Sequence, residues 1–405
     1  MKNQVNNEFK EILNIFNEAY VKRDINEIDS FMDKLFDKDE SVTIVGTCDD
    51  EWCIGYEEVK DIFLSDWEYW GDLRVIANEA TVMELENTAI IYTPATVKYS
   101  FNSRSDTYTR YLGYIKEYFD ESSDESKKSN KVKLTEINWS LCHLLNQRDD
   151  IERDYLWDIR ISFILIKKEN RWIIKHMQFS LPVVGHLPDV REYKDSYDRT
   201  QVNKKIKELE EAYHKNKLMK NEIIDLIKDF NSEYLDKNME LNLIIDKYFS
   251  SNNTFVANTD KEIFTNKEEV KKLIKSHRGC YDEIRLDSEN SIVDFNGDIA
   301  WIVIRGTMEK VISEEESFEN TVNAIKDIFN NNLDDKEKLF NIRRRIAETF
   351  KENAKGEDCI WPFRLEGVLI KENNKWVFKY LQFAFPFNYI LEGKTEASSL
   401  VEKNI

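Results

Sequence analysis

The sequence predicts an α+β protein of two tandem cone-shaped domains. Each domain carries N-terminal helices packed on a curved antiparallel sheet, with a helical insertion. Three observations predict this. A block near the middle of the chain recurs near its end. The segments upstream of each block keep the same order. Each half opens with helical periodicity and goes on to long strand-like runs in the same order.

The repeat is direct. Residues 157–182 and 361–386 align without a gap at an offset of 204 and share 11 of 26 positions. Background composition would give about one or two. Trp157, Arg160, Trp172, Gln178 and Pro182 meet Trp361, Arg364, Trp376, Gln382 and Pro386. Upstream, "FNEAY" (16–20) meets "FNSEY" (230–234), and "YEEVK" (56–60) meets "KEEVK" (267–271). The order of elements is kept and only the loops differ in length. The expected division is a first domain at 1–190, a connecting helix at 191–217 and a second domain at 218–395.

The elements follow in chain order. Phe9, Ile12, Leu13, Phe16 and Tyr20 recur at helical spacing and predict a first helix. Ile28, Phe31, Met32, Leu35 and Phe36 predict a second, short one after Asp24. "SVTIVGT" reads as a strand. A third helix starts near Tyr56, with Glu57 and Glu58 where the helix dipole favours acids. Four strand-like runs come next: "DLRVIANEATVMEL", "TAIIYTPATVKYSF", "WDIRISFILIKK" and "RWIIKHMQFSLP". "KKENRW" and "KENNKW" read as tight turns closing a hairpin. Charged segments near 103–152 and 312–358 are the helical insertions. Ile206, Leu209 and Tyr213 mark the connecting helix, a semi-rigid spacer.

Composition excludes several functions. Lys and Arg number 58 against 77 Asp and Glu, for a net charge of −19. That balance disfavours nucleic acid, whose phosphates need a basic face, and disfavours anionic membrane surfaces. Five cysteines at 48, 53, 142, 280 and 359 have no framework spacing and read as reduced thiols. Cys48 and Cys53 lack the second pair a zinc site needs, and "DDE" at 49–51 reads as a solvated turn, so no metal is expected. With 11 Gly there is little room for a phosphate-cradling loop, and no cofactor is expected. No run approaches the roughly 18 apolar residues of a membrane span, and the first residues lack an uninterrupted apolar stretch of signal-peptide type. The expected location is cytoplasmic.

"GTCDDEWCIGYEEVK" (46–60) resembles a Gly-Thr…Glu-Trp…Gly…Glu-Glu signature of SnoaL-like proteins in the nuclear transport factor 2-like superfamily. "RWIIKHMQFSLP" is similar to that family's closing strand. The second half resembles it more weakly, since "NTDKEIFTNKEEVK" (258–271) lacks the Glu-Trp. The resemblance implies a cavity between helices and sheet. The family's isomerases use an Asp at the end of the first strand and a Tyr on the first helix. Gly46 and Phe16 stand near those places here, and Asn258 and Phe230 in the second half. Neither pair can move a proton. Gln178 and Gln382 stand where relatives often carry His.

Strand alternation sorts the candidate ligand-binding residues. Trp172, Ile174, His176, Gln178 and Ser180 fall on one face, and Arg160 and Ser162 on one face of the neighbouring strand. With those faces turned to the cavities, the first cone offers Trp52, Tyr92, Trp157, Arg160, His176 and Gln178. The second offers Arg364, Glu366, Tyr380 and Gln382, walled by Trp361 and Arg305. His176 is the one candidate general acid/base; a strand histidine bonded to a neighbouring oxygen is the plainer account. Arg160 and Arg364 suit a carboxylate ligand or a structural ion pair. Three functions follow. The first is a small, partly apolar ligand held in the cone without catalysis. The second is an isomerase or dehydratase acting through His176. The third is an association module. The chain is expected as a monomer with an internal pseudo-dimer, or as a homodimer.

Overall fold

The computed structural model describes residues 6–69, 72–101, 112–146, 153–182, 191, 200–212 and 217–387. Tyr213 and the side chain of Trp157 lie outside the described residues. Contacts divide the chain into two compact units: Met1–Val97 with Asp158–Lys310 and Ile360–Asn388, and Lys98–Trp157 with Val311–Cys359 and Tyr389–Ile405.

The first unit holds two seven-stranded sheets of the same design. One runs in the order Trp52–Ile54, Thr43–Val45, Arg171–Ser180, Arg153–Lys168, Thr88–Phe101, Asp72–Val75, with Thr81–Leu85 also paired to Thr88–Phe101. The other runs Glu283–Leu286, Ile299–Val311, Asp358–Glu372, Lys375–Ala384, Phe255–Ala257, Ile263–Phe264, with Ile292–Asn296 on Ile299–Val311. Both include one parallel pair, the short first strand of each domain against its last. "DLRVIANEATVMEL" breaks into two strands around a 3-10 turn at Ala77–Glu79. The hairpin turns sit at Glu169–Asn170 and Asn373–Asn374, all with φ between 50° and 63°. Asparagine tolerates that left-handed backbone, which is why "EN" and "NN" close these hairpins.

The helices cover one face of each sheet. Asn7–Lys22 buries Phe9, Ile12, Leu13, Phe16 and Tyr20 and stops at Arg23, whose left-handed backbone (φ 49°) returns its N–H to Ala19. Ile28–Leu35 and Tyr56–Tyr69 complete the layer. Lys217–Glu233, Leu241–Tyr248 and Lys267–Cys280 are their counterparts, the last capped by Asn266 accepting from Glu269 N–H. Deep in the first cone, Phe16 touches Phe31, Phe63 and Phe163 at ring separations of 5.5–6.1 Å. In the second, Phe230 meets Tyr248 and Phe378 at 5.2 Å. The deep part of each cone is packed aromatic core. Thr200–Ala212 lays Val202, Ile206 and Leu209 against Val45 and Trp52 of one sheet and Ile292 and Val303 of the other.

The second unit is helical. Asn130–Asn146 packs on Asp335–Ala354, which packs on Glu314–Asn330. Trp139, Cys142 and Ala347 form its core, and Lys351 lies over the Trp139 ring at 5.2 Å. Among the described residues no helix is long and apolar enough to cross a membrane.

Candidate functional site

Alternation aimed His176, Gln178 and Ser180 into the first cone. The structure puts them on the opposite face, against the other sheet. The cause is a bulge. Ile164 pairs with His176 but Leu165 pairs with Ile174, so Lys175 has no partner and the faces exchange there. The second sheet repeats this: Val368 pairs with Tyr380 and Leu369 with Phe378, skipping Lys379. Trp172 and Ile174 therefore stay on the helical side, where Trp172 meets Phe9 at 5.3 Å. His176, Gln178, Tyr380 and Gln382 enter a seam between the sheets.

Apolar clusters from the two sheets meet in the seam, on either side of a polar core. Ile90, Tyr92, Ile164, Ile166 and Ile173 from the first sheet pack with Phe255, Ala257, Ile299, Trp301, Val368 and Tyr380 from the second. Tyr92 meets Phe255 at 5.1 Å. Trp52 lies under Arg305, 5.9 Å from the guanidinium carbon, and Arg305 bonds Asp49 at 2.7 Å.

The two arginines form a reciprocal pair. Arg160, 3% exposed, donates to the carbonyls of Asn258 and Asp260 in the second domain, and to Ser180 Oγ at 3.2 Å. Arg364, fully buried, donates to the carbonyls of Gly46, Thr47 and Cys48 in the first. The expected acid of the same domain is absent from these bonds. Each guanidinium fork instead holds the other domain's loop, as residues do across a two-fold interface.

Between them lies a buried polar core. Ser162 donates to Glu366 Oε2 at 2.5 Å, Tyr380 donates to Gln382 Oε1 at 2.6 Å, and Gln382 donates to Ser180 Oγ at 3.1 Å. His176 Nδ1 sits 2.7 Å from Thr43 Oγ1, and its Nε2 is 3.7 Å from Glu366 Oε1. Those last two atoms and the Gln178 amide make no hydrogen bond among the described residues. Burial pushes His176 down to about 3, so the ring is neutral. Burial pushes Glu366 up to about 7 against the bonds from Ser162 and Tyr380. His176 is 0% exposed; a substrate would have to part the sheets to reach it.

The cones themselves hold polar groups that sequence reasoning passed over. One turn beyond Phe16, Tyr20 donates to Asp66 Oδ2 at 2.7 Å. Burial, with the charge of Glu51 adding, pushes Asp66 up to about 7. The second cone replaces this dyad with a chain. Tyr234 Oη lies 3.0 Å from His277 Nδ1, and His277 Nε2 lies 3.0 Å from Asn258 Oδ1. Asn258 Nδ2 donates to Asp260 at 3.2 Å, which leaves Oδ1 to accept. Nε2 therefore carries the imidazole proton, and Nδ1 accepts from the Tyr234 hydroxyl. Burial pushes His277 down to about 4 and raises Tyr234, so both are neutral near pH 7. Around them stand Phe383, 5.2 Å from the His277 ring, and Tyr281 at 5.7 Å. Trp361 follows at 6.3 Å from Tyr281, with its Nε1 buried and unpartnered among the described residues. Trp361 is thus the one described candidate that remains on a cone's helical side. The signal for the tyrosines was present, since both close the repeated "FNEAY" and "FNSEY". Their partners are Asp66 in one half and His277 in the other, so identity could not mark them.

No family model matches the chain, and no curated protein matches it. Solved structures do. One is a nuclear transport factor 2-like superfamily protein from Salmonella enterica subsp. enterica serovar Typhimurium str. LT2. It is 12% identical, with TM-score 0.28, covering 47% of this chain and 95% of that one. Another is a nuclear transport factor 2-like protein of unknown function from Pseudomonas putida KT2440, 9% identical, TM-score 0.26, covering 46% and 94%. A third, from Shewanella oneidensis MR-1, is 11% identical, TM-score 0.22, covering 42% and 95%. Each similarity spans about half of this chain. Among the described residues no group of three or more His, Cys, Asp or Glu is arranged for a metal ion.

Proposed function

We propose that the protein binds a small, partly apolar compound at the mouth of the second cone, without catalysing a reaction on it. The observation that carries this reading is the Trp361 indole N–H, 2% exposed and without an acceptor among the described residues. A buried donor left unpaired costs about 1–3 kcal/mol, which a ligand oxygen would offset. Tyr281, His277 and Phe383 supply aromatic walls around it. The packed Phe230 cluster below keeps the occupant small. His277 held near 4 is a poor general base at neutral pH, which favours binding over proton transfer.

The test is a titration of the full chain with acetophenone and with benzoate, followed by calorimetry. Binding of either, lost in Trp361→Phe, supports the reading. No binding of either up to millimolar concentration, or binding unchanged in Trp361→Phe, overturns it.

A second reading concerns association. We infer that the chain is a monomer whose sheets occupy each other, because Arg160 and Arg364 hold opposite loops in the same way. Sedimentation at micromolar concentration should give the mass of one chain; twice that mass would refute it.

A further inference from the structure

We propose that Arg160, from the first domain, is a positioning residue for the polar chain in the second cone. It acts through the loop 258–262. The guanidinium donates to the carbonyls of Asn258 and Asp260. Above it the loop is tightly folded: Asn258 N–H bonds Glu262 O at 3.0 Å, and Glu262 N–H bonds Asp260 Oδ1 at 2.7 Å. The Asn258 side chain leaves this loop on the helical side and accepts the Nε2 proton of His277. That bond selects the tautomer in which Nδ1 accepts from Tyr234. Anchoring the Asn258 carbonyl thus fixes the ring two bonds away.

The mirror arginine provides an internal control. Arg364 holds the matching carbonyls of Gly46 and Cys48, but Gly46 has no side chain to pass anything on. A Cβ there would fall 2.8 Å from Glu51 Cβ, so an asparagine at 46 would have to displace Glu51. Both arginines close the seam, and one of them also reaches into a cone.

The consequence for a ligand rests on the second cone being the binding site; the effect on His277 does not. The experiment reads the His277 ring nitrogens by NMR of the full chain with 15N-labelled histidine, the signal assigned with His277→Gln. Lysine places one charge where the fork made several bonds. In Arg160→Lys, His277 is expected to lose its single Nε2–H pattern and show mixed tautomers, as in Asn258→Ala. Arg160→Lys combined with Asn258→Ala should add nothing to Asn258→Ala alone. Arg364→Lys should leave the His277 signals unmoved while loosening the seam. If the lysine variants do not fold, Arg160→Gln against Arg364→Gln carries the same comparison. An unmoved His277 in the Arg160 variant, or an equal change in the Arg364 variant, overturns the proposal. Should the NMR result hold while neither acetophenone nor benzoate binds, the positioning stands and the binding site falls.

Discussion

Replacing Glu366 with Gln should stabilise the protein, and the gain should depend on pH. Glu366 is 0% exposed, and the groups that face it are Ser162, Tyr380 and the neutral His176. None carries a positive charge. Burial raises its pKa from 4.5 to about 7. A raised acid favours the folded state fully below its unfolded pKa and loses that contribution as pH climbs through the folded value. The shift spans about 2.5 pH units at roughly 1.4 kcal/mol each, so ionisation costs about 3 kcal/mol by pH 8. Glutamine is neutral throughout and keeps an oxygen for Ser162 and Tyr380. The stability difference between Glu366→Gln and wild type should therefore widen by about 2–3 kcal/mol from pH 5 to pH 8. Urea denaturation at both pH values measures it. His176, His277 and Asp66 are present in both proteins and cancel. An equal difference at the two pH values would refute the reasoning, and so would a variant less stable than wild type at pH 8.

Other outcomes follow from the same packing. Arg364→Lys should cost about 2–4 kcal/mol, since carbonyls of Gly46, Thr47 and Cys48 lose donors in a sealed seam; unchanged denaturation would contradict those bonds. Phe230→Ala should cost about 3–5 kcal/mol by opening a cavity among Tyr234, Tyr248 and Phe378, and a loss below 1 kcal/mol would show a loosely packed cone. Burial, with the charge of Glu51 adding, pushes the Cys48 and Cys53 thiols to about 12. Both should react with a thiol reagent at pH 8 at least a hundredfold (on the order of 10²) slower than in the denatured chain. Labelling at the denatured rate would refute that. A methyl group on Gly306 would meet the Arg285 carbonyl at 2.5 Å, so Gly306→Ala should lower the melting temperature.

Much of the architecture was legible because the sequence writes its main elements twice. The Trp-to-Pro block, the hairpin asparagines at 170 and 374 and the first-helix stripe all survive in both copies. Side-chain direction was less legible. Period-two reading assumes one residue opposite one residue, and Lys175 and Lys379 each break that count. One skipped residue moved His176 and Tyr380 from cavity to seam. A lysine inside an apolar strand, at the same offset in both halves, was the trace left in the sequence. The linkage of Asn258 to His277 and Tyr234 escaped for another reason: the three lie on different elements, 19 to 43 residues apart, and only folding brings them together.

Ser162 and Glu366 are equivalent positions in the two copies, and they touch each other. Such a position lies on the axis relating the halves. In an assembly of identical subunits, any residue placed there confronts itself, so a glutamate would oppose a second buried glutamate. A single chain carrying both halves is free of that restriction. One half can hold an acid where the other holds a hydroxyl, just as glycine stands at 46 and asparagine at 258.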